Sequence, residues 1–285
     1  MTSFVLNVIG KGAAPMHFAA LAIGRTVTLA ADFACDIPVE GAAALDAARQ
    51  MAGDTPWDIN LVATANRRKT LLVADMDSTI ISVECLDELA DMAGLKPQIA
   101  AITERAMRGE IEFVAALKGR VAMLKGLPLT ALQRTYDERV RLNPGARALT
   151  STMRAQGART MLVSGGFEFF TSRVAKAAGF DEERGNRLLD DGARLTGEVA
   201  EPILGREAKR HALENAAAAL GLDLSQTLAV GDGANDLAMI QKAGLGVAYH
   251  AKPVVAEAAG AAIIHNDLTA LLYLQGYTEA EIVET

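Results

Sequence analysis

The chain has 285 residues, which at roughly 150 residues per domain suggests two domains and gives ample length to bury a core without disulfide or metal staples. Hydrophobic residues make up 51 % and charged residues 22 %, so a wholly disordered chain is excluded. Its 28 basic and 35 acidic residues leave a net charge of −7, a poor basis for nonspecific binding to nucleic acid or to an anionic membrane.

The N-terminus, Met1-Thr2-Ser3-Phe4, carries no basic residue, and the apolar stretch after it is short and broken by Asn7 and Gly10, so no signal peptide is expected. No uninterrupted apolar run reaches the ~18–20 residues of a membrane span, and the chain is expected to be cytoplasmic. Residues 27–30 and 58–62 read as short strands, with an alanine-rich helical stretch, residues 41–51, between them. Residues 1–66 thus read as a small α+β unit without a cluster of catalytic side chains. Asn66-Arg67-Arg68-Lys69 reads as a polar hinge into the second domain, residues 67–285. Cys35 and Cys85 are expected as reduced, buried thiols, because two isolated cysteines make neither a disulfide framework nor a zinc site. The histidines at 17, 211, 250 and 265 show no metal-ligand spacing.

From Thr70 onward strands alternate with helices. Residues 71–74, 160–163 and 227–230 are short apolar runs, each followed by a polar or glycine-rich turn and then a helical pattern. Such runs are buried on both faces, as in a parallel sheet covered by helices; residues 245–248 and 262–264 are shorter candidates. The expected core is α/β, a Rossmann-like parallel sheet. Between the first two strands lie helical patterns at 84–92, 96–107, 111–123 and 129–139, too much chain for a simple crossover. They read as a helical cap inserted at about 80–142. Residues 188–195 have a hairpin pattern with Asp-Gly at the turn.

Open parallel sheets place ligands beyond the carboxyl ends of their strands. The first run ends in Asp75-Met76-Asp77-Ser78-Thr79, where Asp75 and Asp77, two apart on extended backbone, face one volume. The third ends in Gly231-Asp232-Gly233-Ala234-Asn235-Asp236. A helix cap explains one acid at each place and leaves others over. If these ends are neighbours, four carboxylates converge, which requires protons or a cation; an all-oxygen set with room for water and a phosphate suits Mg²⁺. The second run ends in Ser164-Gly165-Gly166, which alone is a plain turn but can bring N–H groups to an anion. Lys209, on a helical stretch before the third run, is by itself an ordinary surface lysine.

Taken in order, Asp-x-Asp-Ser-Thr, Ser-Gly-Gly, a lysine and Gly-Asp-Gly-Ala-Asn-Asp resemble the haloacid-dehalogenase-like hydrolase superfamily. The resemblance is closer still to its phosphoserine phosphatases, through residues 75–84 (DMDSTIISVE), Gly119-Arg120-Val121, Leu195-Thr196-Gly197, residues 231–240 (GDGANDLAMI) and residues 248–253 (AYHAKP). It covers roughly residues 70–270, and the N-terminal unit resembles the ACT-like extension of longer bacterial members. The resemblance implies hydrolysis of O-phospho-L-serine to L-serine and phosphate, the last step of serine biosynthesis, through an aspartyl-phosphate. It implies Asp75 as nucleophile and Asp77 as general acid, then base. Mg²⁺ would be held by the carboxylates of Asp75 and Asp232 and the main-chain carbonyl of Asp77. Ser164, the Gly165 N–H and Lys209 would bind the phosphoryl oxygens, with Asn235 at the site and Asp236 behind it. In the cap, Glu84 would meet the substrate ammonium, Arg120 its carboxylate, and Phe113 would cover it against water. Another small phosphomonoester, or a regulatory amino-acid-binding protein, stays open as an alternative, as does a homodimer, for which no interface can be read.

Overall fold

Two sheets divide the chain. The computed structural model describes residues 3–107 and 110–283. The first sheet is antiparallel and built from β1 (Phe4–Ile9), β2 (Val27–Ala30), β3 (Ala34–Val39) and β4 (Asp58–Ala63), in the order β2-β3-β1-β4. Alternation sends Leu6, Val8, Cys35, Ile37 and Ile59 to one face, where they pack with Phe18 and with Ala48 of α1 (Ala43–Ala52). The opposite face carries a polar row, Asp36-Asn7-Asn60, in cross-strand register. All three are buried, because this face lies on the larger unit. The polar residues inside β1 and β3 are the reason neither reads as a strand from sequence: both faces are buried, and one of them is polar.

That row is spent on docking. Asn7 Nδ2 donates to Asp36 and to the Tyr273 carbonyl. The amide of Asn60 pairs with both the N–H and the carbonyl of Ala262, and Asp58 accepts from the N–H groups of Ile264, His265 and Asn266. The stretch expected as a polar hinge is a weld instead. Arg67 donates to both oxygens of Asp36, at 2.5 and 2.8 Å, and to the carbonyls of Leu274 and Tyr273, while Lys69 is buried. Four basic or amide side chains in a row suggest solvent, but here Arg67 satisfies buried acceptors and Lys69 donates to the Ser225 carbonyl at 2.7 Å.

The second sheet is parallel and has six strands: β5 (Leu71–Ala74), β6 (Arg159–Phe167), β7 (Glu182–Asn186), β10 (Thr227–Gly231), β11 (Leu245–Tyr249) and β12 (Ala261–Ile263). Their order is β12-β11-β10-β5-β6-β7. β6 runs four residues beyond the expected 160–163, through Ser164-Gly165-Gly166 to Phe167. β7, Glu-Glu-Arg-Gly-Asn, carries no apolar signal because it is an edge strand with alternating exposure. Helices α6 (Ala146–Ala155), α7 (Glu168–Ala178), α8 (Arg206–Ala219) and α9 (Leu237–Lys242) belong to this unit.

Between β5 and α6 stand four helices, α2 (Cys85–Met92), α3 (Lys96–Met107), α4 (Phe113–Ala122) and α5 (Leu129–Arg139). α4 starts at Phe113 rather than 111 because the Glu112 side chain caps the N–H groups of Val114 and Ala115. The chain enters and leaves this cap side by side: Ile81 bridges Leu142, and Asn143 N–H donates to Ile80. The hairpin of β8 (Leu188–Asp190) and β9 (Leu195–Val199) also joins the cap, through Leu195 N–H to Leu127 and Gly126 N–H to Leu195. Its place against the cap, far along the chain from the four helices, is a product of the tertiary fold.

Candidate active site

β5 lies between β10 and β6, and the chain leaves β5 toward β6 but leaves β10 toward β11, in opposite directions, so the carboxyl ends of β5 and β10 form a switch point where a crevice opens. The register brings Ala74 beside both Val230 and Leu162. The residues just after them, Asp75, Asp232 and Ser164, therefore meet.

Asp75 is the last extended residue before a single wide turn, Met76–Ile80, closed by Ile81 N–H to the Met76 carbonyl. Within that turn Ser78 adopts φ 55°, a left-handed conformation uncommon for serine, and its hydroxyl donates to Glu84 at 2.8 Å. The turn also sets Asp77 against the start of α2, where Oδ1 accepts from the Cys85 N–H at 3.0 Å and Oδ2 accepts from Ser164 Oγ at 3.3 Å. Thr79 Oγ1 donates to Asp232 at 3.1 Å, and Asn143 fixes the Thr79 carbonyl at 2.7 Å.

Lys209 reaches from α8 under β5. Its Nζ lies 2.5 Å from Asp75 and 2.6 Å from Asp236, and all three side chains are at most 6 % exposed. Burial disfavours the lysine's charge, yet the two carboxylates outweigh it and hold its pKa above the usual lysine value. Burial, then the Asp236 charge, push the Asp75 carboxyl well above the ordinary carboxylate range, against the pull of Lys209. Burial raises Asp77 as well, opposed by its hydrogen bonds. Asp232 is pushed up to about 6 by burial and the Asp236 charge. Glu84 is pushed up to about 7 by its walled position and by Asp77, although its side chain still meets the solvent of the cleft. This is a site with excess negative charge. Oxygens of Asp75, Asp232 and Asp236 lie within 4.8 Å of one another, a hard-donor set that fits a divalent cation.

Nine of the expected residues line one cleft of about 160 Å³: Asp75, Asp77, Asp232, Ser164, Gly165 and Asn235 on the sheet side, Glu84, Phe113 and Arg120 on the cap side. Lys209 and Asp236 lie beneath this lining. Among the described residues Arg120 makes long hydrogen bonds, 3.4 Å to both Ala116 and Thr103, and burial lowers its pKa. The cleft is not the largest, since others reach about 720 and 600 Å³. One of about 480 Å³ lies at the seam with the N-terminal unit, lined by Arg49, Trp57, Asp58 and Glu257 among others, but its Asp58 is already spent on backbone N–H groups.

Sequence reasoning missed Thr79, Cys85, Asn143 and Gly166 as parts of the site. In the sequence Gly166 is a turn glycine whose N–H can approach an anion; the packing shows why it has no side chain. A Cβ there would sit 2.8 Å from Asp77 Oδ2 and 3.0 Å from Ser164 Oγ. Gly166→Ala is expected to cost about 1–3 kcal/mol of stability by overpacking and to lower kcat roughly a hundredfold by displacing Asp77. Urea titration and steady-state kinetics together check this; a variant with unchanged kcat would mean that Asp77 tolerates displacement.

The haloacid dehalogenase-like hydrolase model matches residues 72–241. The phosphoserine phosphatase of Polaromonas sp. is 47 % identical over 209 residues, covering 72 % of this chain and 89 % of that protein. A structure of a probable phosphoserine phosphatase from Vibrio cholerae, unliganded, matches with TM-score 0.80 at 30 % identity, covering 98 % of this chain and 88 % of the other. A phospho-aspartyl intermediate analogue of phosphoserine phosphatase matches with TM-score 0.66 at 36 % identity, covering 72 % of this chain and 98 % of the other. With the family model matching more than half of the chain and a relative 47 % identical matched over most of its length, this chain belongs to the haloacid dehalogenase-like hydrolases, on the phosphoserine phosphatase branch of that family.

Proposed function

We propose that the chain hydrolyses O-phospho-L-serine to L-serine and phosphate through an aspartyl-phosphate on Asp75. One cleft supports the reading: Asp75 and Asp77 face Glu84 and Arg120 across about 160 Å³, space for a small molecule. Asp75 attacks phosphorus, its charge sustained by Lys209 at 2.5 Å. Asp77, raised by burial, holds a proton that it donates to the departing serine oxygen, and then accepts one from the attacking water. Ser164 and the Gly165 N–H meet the phosphoryl oxygens, and Glu84 and Arg120 read the ammonium and the carboxylate. The carboxylates of Asp75 and Asp232, with the Asp77 main-chain carbonyl, would hold Mg²⁺, which when bound would neutralise phosphate charge; Asp236, with an oxygen within 4.8 Å of theirs, stays paired with Lys209 behind them. Two buried, unpaired cysteines suit a reducing, cytoplasmic setting, and among the described residues no helix is long and apolar enough to cross a membrane.

Phosphate release from O-phospho-L-serine, with Mg²⁺ and after exhaustive chelation, tests the reaction and its cation. Arg120→Ala tests the substrate. A charge-assisted hydrogen bond is worth about 1.5–3 kcal/mol, so kcat/KM for phosphoserine should fall roughly ten- to a hundredfold. An aryl phosphate, with no carboxylate to lose, should change little. Equal losses for both substrates would make Arg120 a structural or phosphate residue, and no release from phosphoserine would end the reading.

A further inference from the structure

Asn186 closes β7 at 2 % exposure, and the chemistry above gives it no role. Its amide nonetheless joins the end of β6, where Gly165 lines the cleft, to the segment that leads into α8. Nδ2 donates to the Gly165 carbonyl at 2.8 Å and to the Leu204 carbonyl at 3.2 Å, while Oδ1 accepts from the Leu204 N–H at 2.7 Å. A buried amide that uses its donors and its acceptor in this way is fixed in orientation.

The peptide unit that Asn186 grips runs from the Gly165 carbonyl to the Gly166 N–H. A trans peptide is planar, and its C=O and N–H point to opposite sides. Holding the carbonyl therefore aims the N–H. That N–H donates to Ser164 Oγ at 2.8 Å. Ser164 Oγ, so placed, lies 3.3 Å from Asp77 Oδ2 and sets the position of that carboxyl.

We infer that Asn186 is a positioning residue for the acid–base carboxyl: it locks the Gly165–Gly166 peptide, the peptide orients Ser164, and Ser164 orients Asp77. This rests on the reading of Asp77 as the proton donor. The effect must then depend on the leaving group. Serine leaves as an alkoxide and needs the proton, whereas an aryl oxide needs it far less.

Asn186→Ala removes the grip and leaves room for water to solvate the freed groups. In Mg²⁺, kcat for phosphoserine should fall roughly ten- to a hundredfold, the scale of a small misplacement near the reacting atoms, and kcat for an aryl phosphate by much less. In a double-mutant cycle read on the phosphoserine-to-aryl-phosphate ratio of kcat/KM, in which any phosphate contact of Ser164 cancels, adding Ser164→Ala to Asn186→Ala should change the ratio little more than either alone, while losses with Arg120→Ala should multiply. Equal losses for both substrates, or losses that multiply with Ser164→Ala, overturn the inference, because a loosened loop would produce both. If thermal unfolding shows that Asn186→Ala does not fold, Asn186→Ser, which keeps a hydroxyl donor, enters the same cycle. A wild-type protein inert toward every phosphomonoester would sink the proposed function itself; multiplying losses in an active enzyme sink only the role of Asn186.

Discussion

Asp75→Asn should abolish turnover and leave the protein at least as stable as before. The substitution keeps the shape and removes the attacking charge, and the loss of a nucleophile typically costs roughly four orders of magnitude or more. Stability moves the other way. The Asp75 carboxyl is raised in the folded state by burial and by Asp236, so its contribution to stability is fully present below the ordinary carboxylate value and is lost as pH rises through the folded one. At pH 8 a neutral asparagine escapes that cost, and Lys209 retains Asp236 at 2.6 Å. Urea unfolding with chelator present, run beside a phosphate-release assay, separates the two effects. Turnover within tenfold of wild type would remove Asp75 from its role. So would an acid-trapped phosphoryl group found on a peptide that excludes Asp75.

Lys209→Met should be the most damaging single change to the fold around the cleft. It removes the cation that bridges Asp75 and Asp236, whose side chains are 6 % and 0 % exposed. Breaking a buried ion pair by deleting one partner costs about 3–5 kcal/mol, because a charge stays behind in a poorly solvated place. The pH dependence follows from the shifts. Lys209 is raised above its ordinary value, so its stabilisation is complete at and below neutral pH and is lost only as pH rises through its folded value. Without it, Asp75 is raised further and the variant binds protons more readily when folded. The deficit should therefore be largest near pH 8 and shrink toward pH 5. Urea midpoints at both values in chelator check this, and a deficit independent of pH would mean that lost packing rather than charge is responsible. Turnover should vanish in the same variant at every pH, since the nucleophile loses the group that sustains its charge.

Both predictions turn on carboxylates that the amino-acid pattern marks by itself. Asp75, Asp77, Asp232 and Asp236 follow apolar runs too short for helices, and parallel sheets bind ligands at the carboxyl ends of such strands. The α/β core and the helical cap could be read for the same reason: β5, β10 and β11 are buried on both faces, so burial and hydrophobicity coincide along them. β1, β3 and β7 broke that coincidence. Asn7 and Asp36 are buried polar residues satisfied by a different part of the chain, and β7 is a polar edge strand, so no local pattern marks them.

By itself, the sequence determined which residue types follow which strands, and hence the chemistry within reach. The tertiary structure alone decided which of them touch. Lys209 is an unremarkable helical lysine until α8 carries it beneath β5, and Arg67 is part of a polar stretch until Asp36 arrives from another sheet. Asn186 is an ordinary edge residue until Gly165 and Leu204 close around its amide. The reason is common to all three. A buried polar group is stable only when its partner is supplied, and here the partner comes from a distant part of the chain, at a separation of 21 residues for Asn186 and Gly165 and of 31 for Arg67 and Asp36. Hydrophobic periodicity is written locally and can be read locally; polar satisfaction over such distances is settled only when the chain has folded.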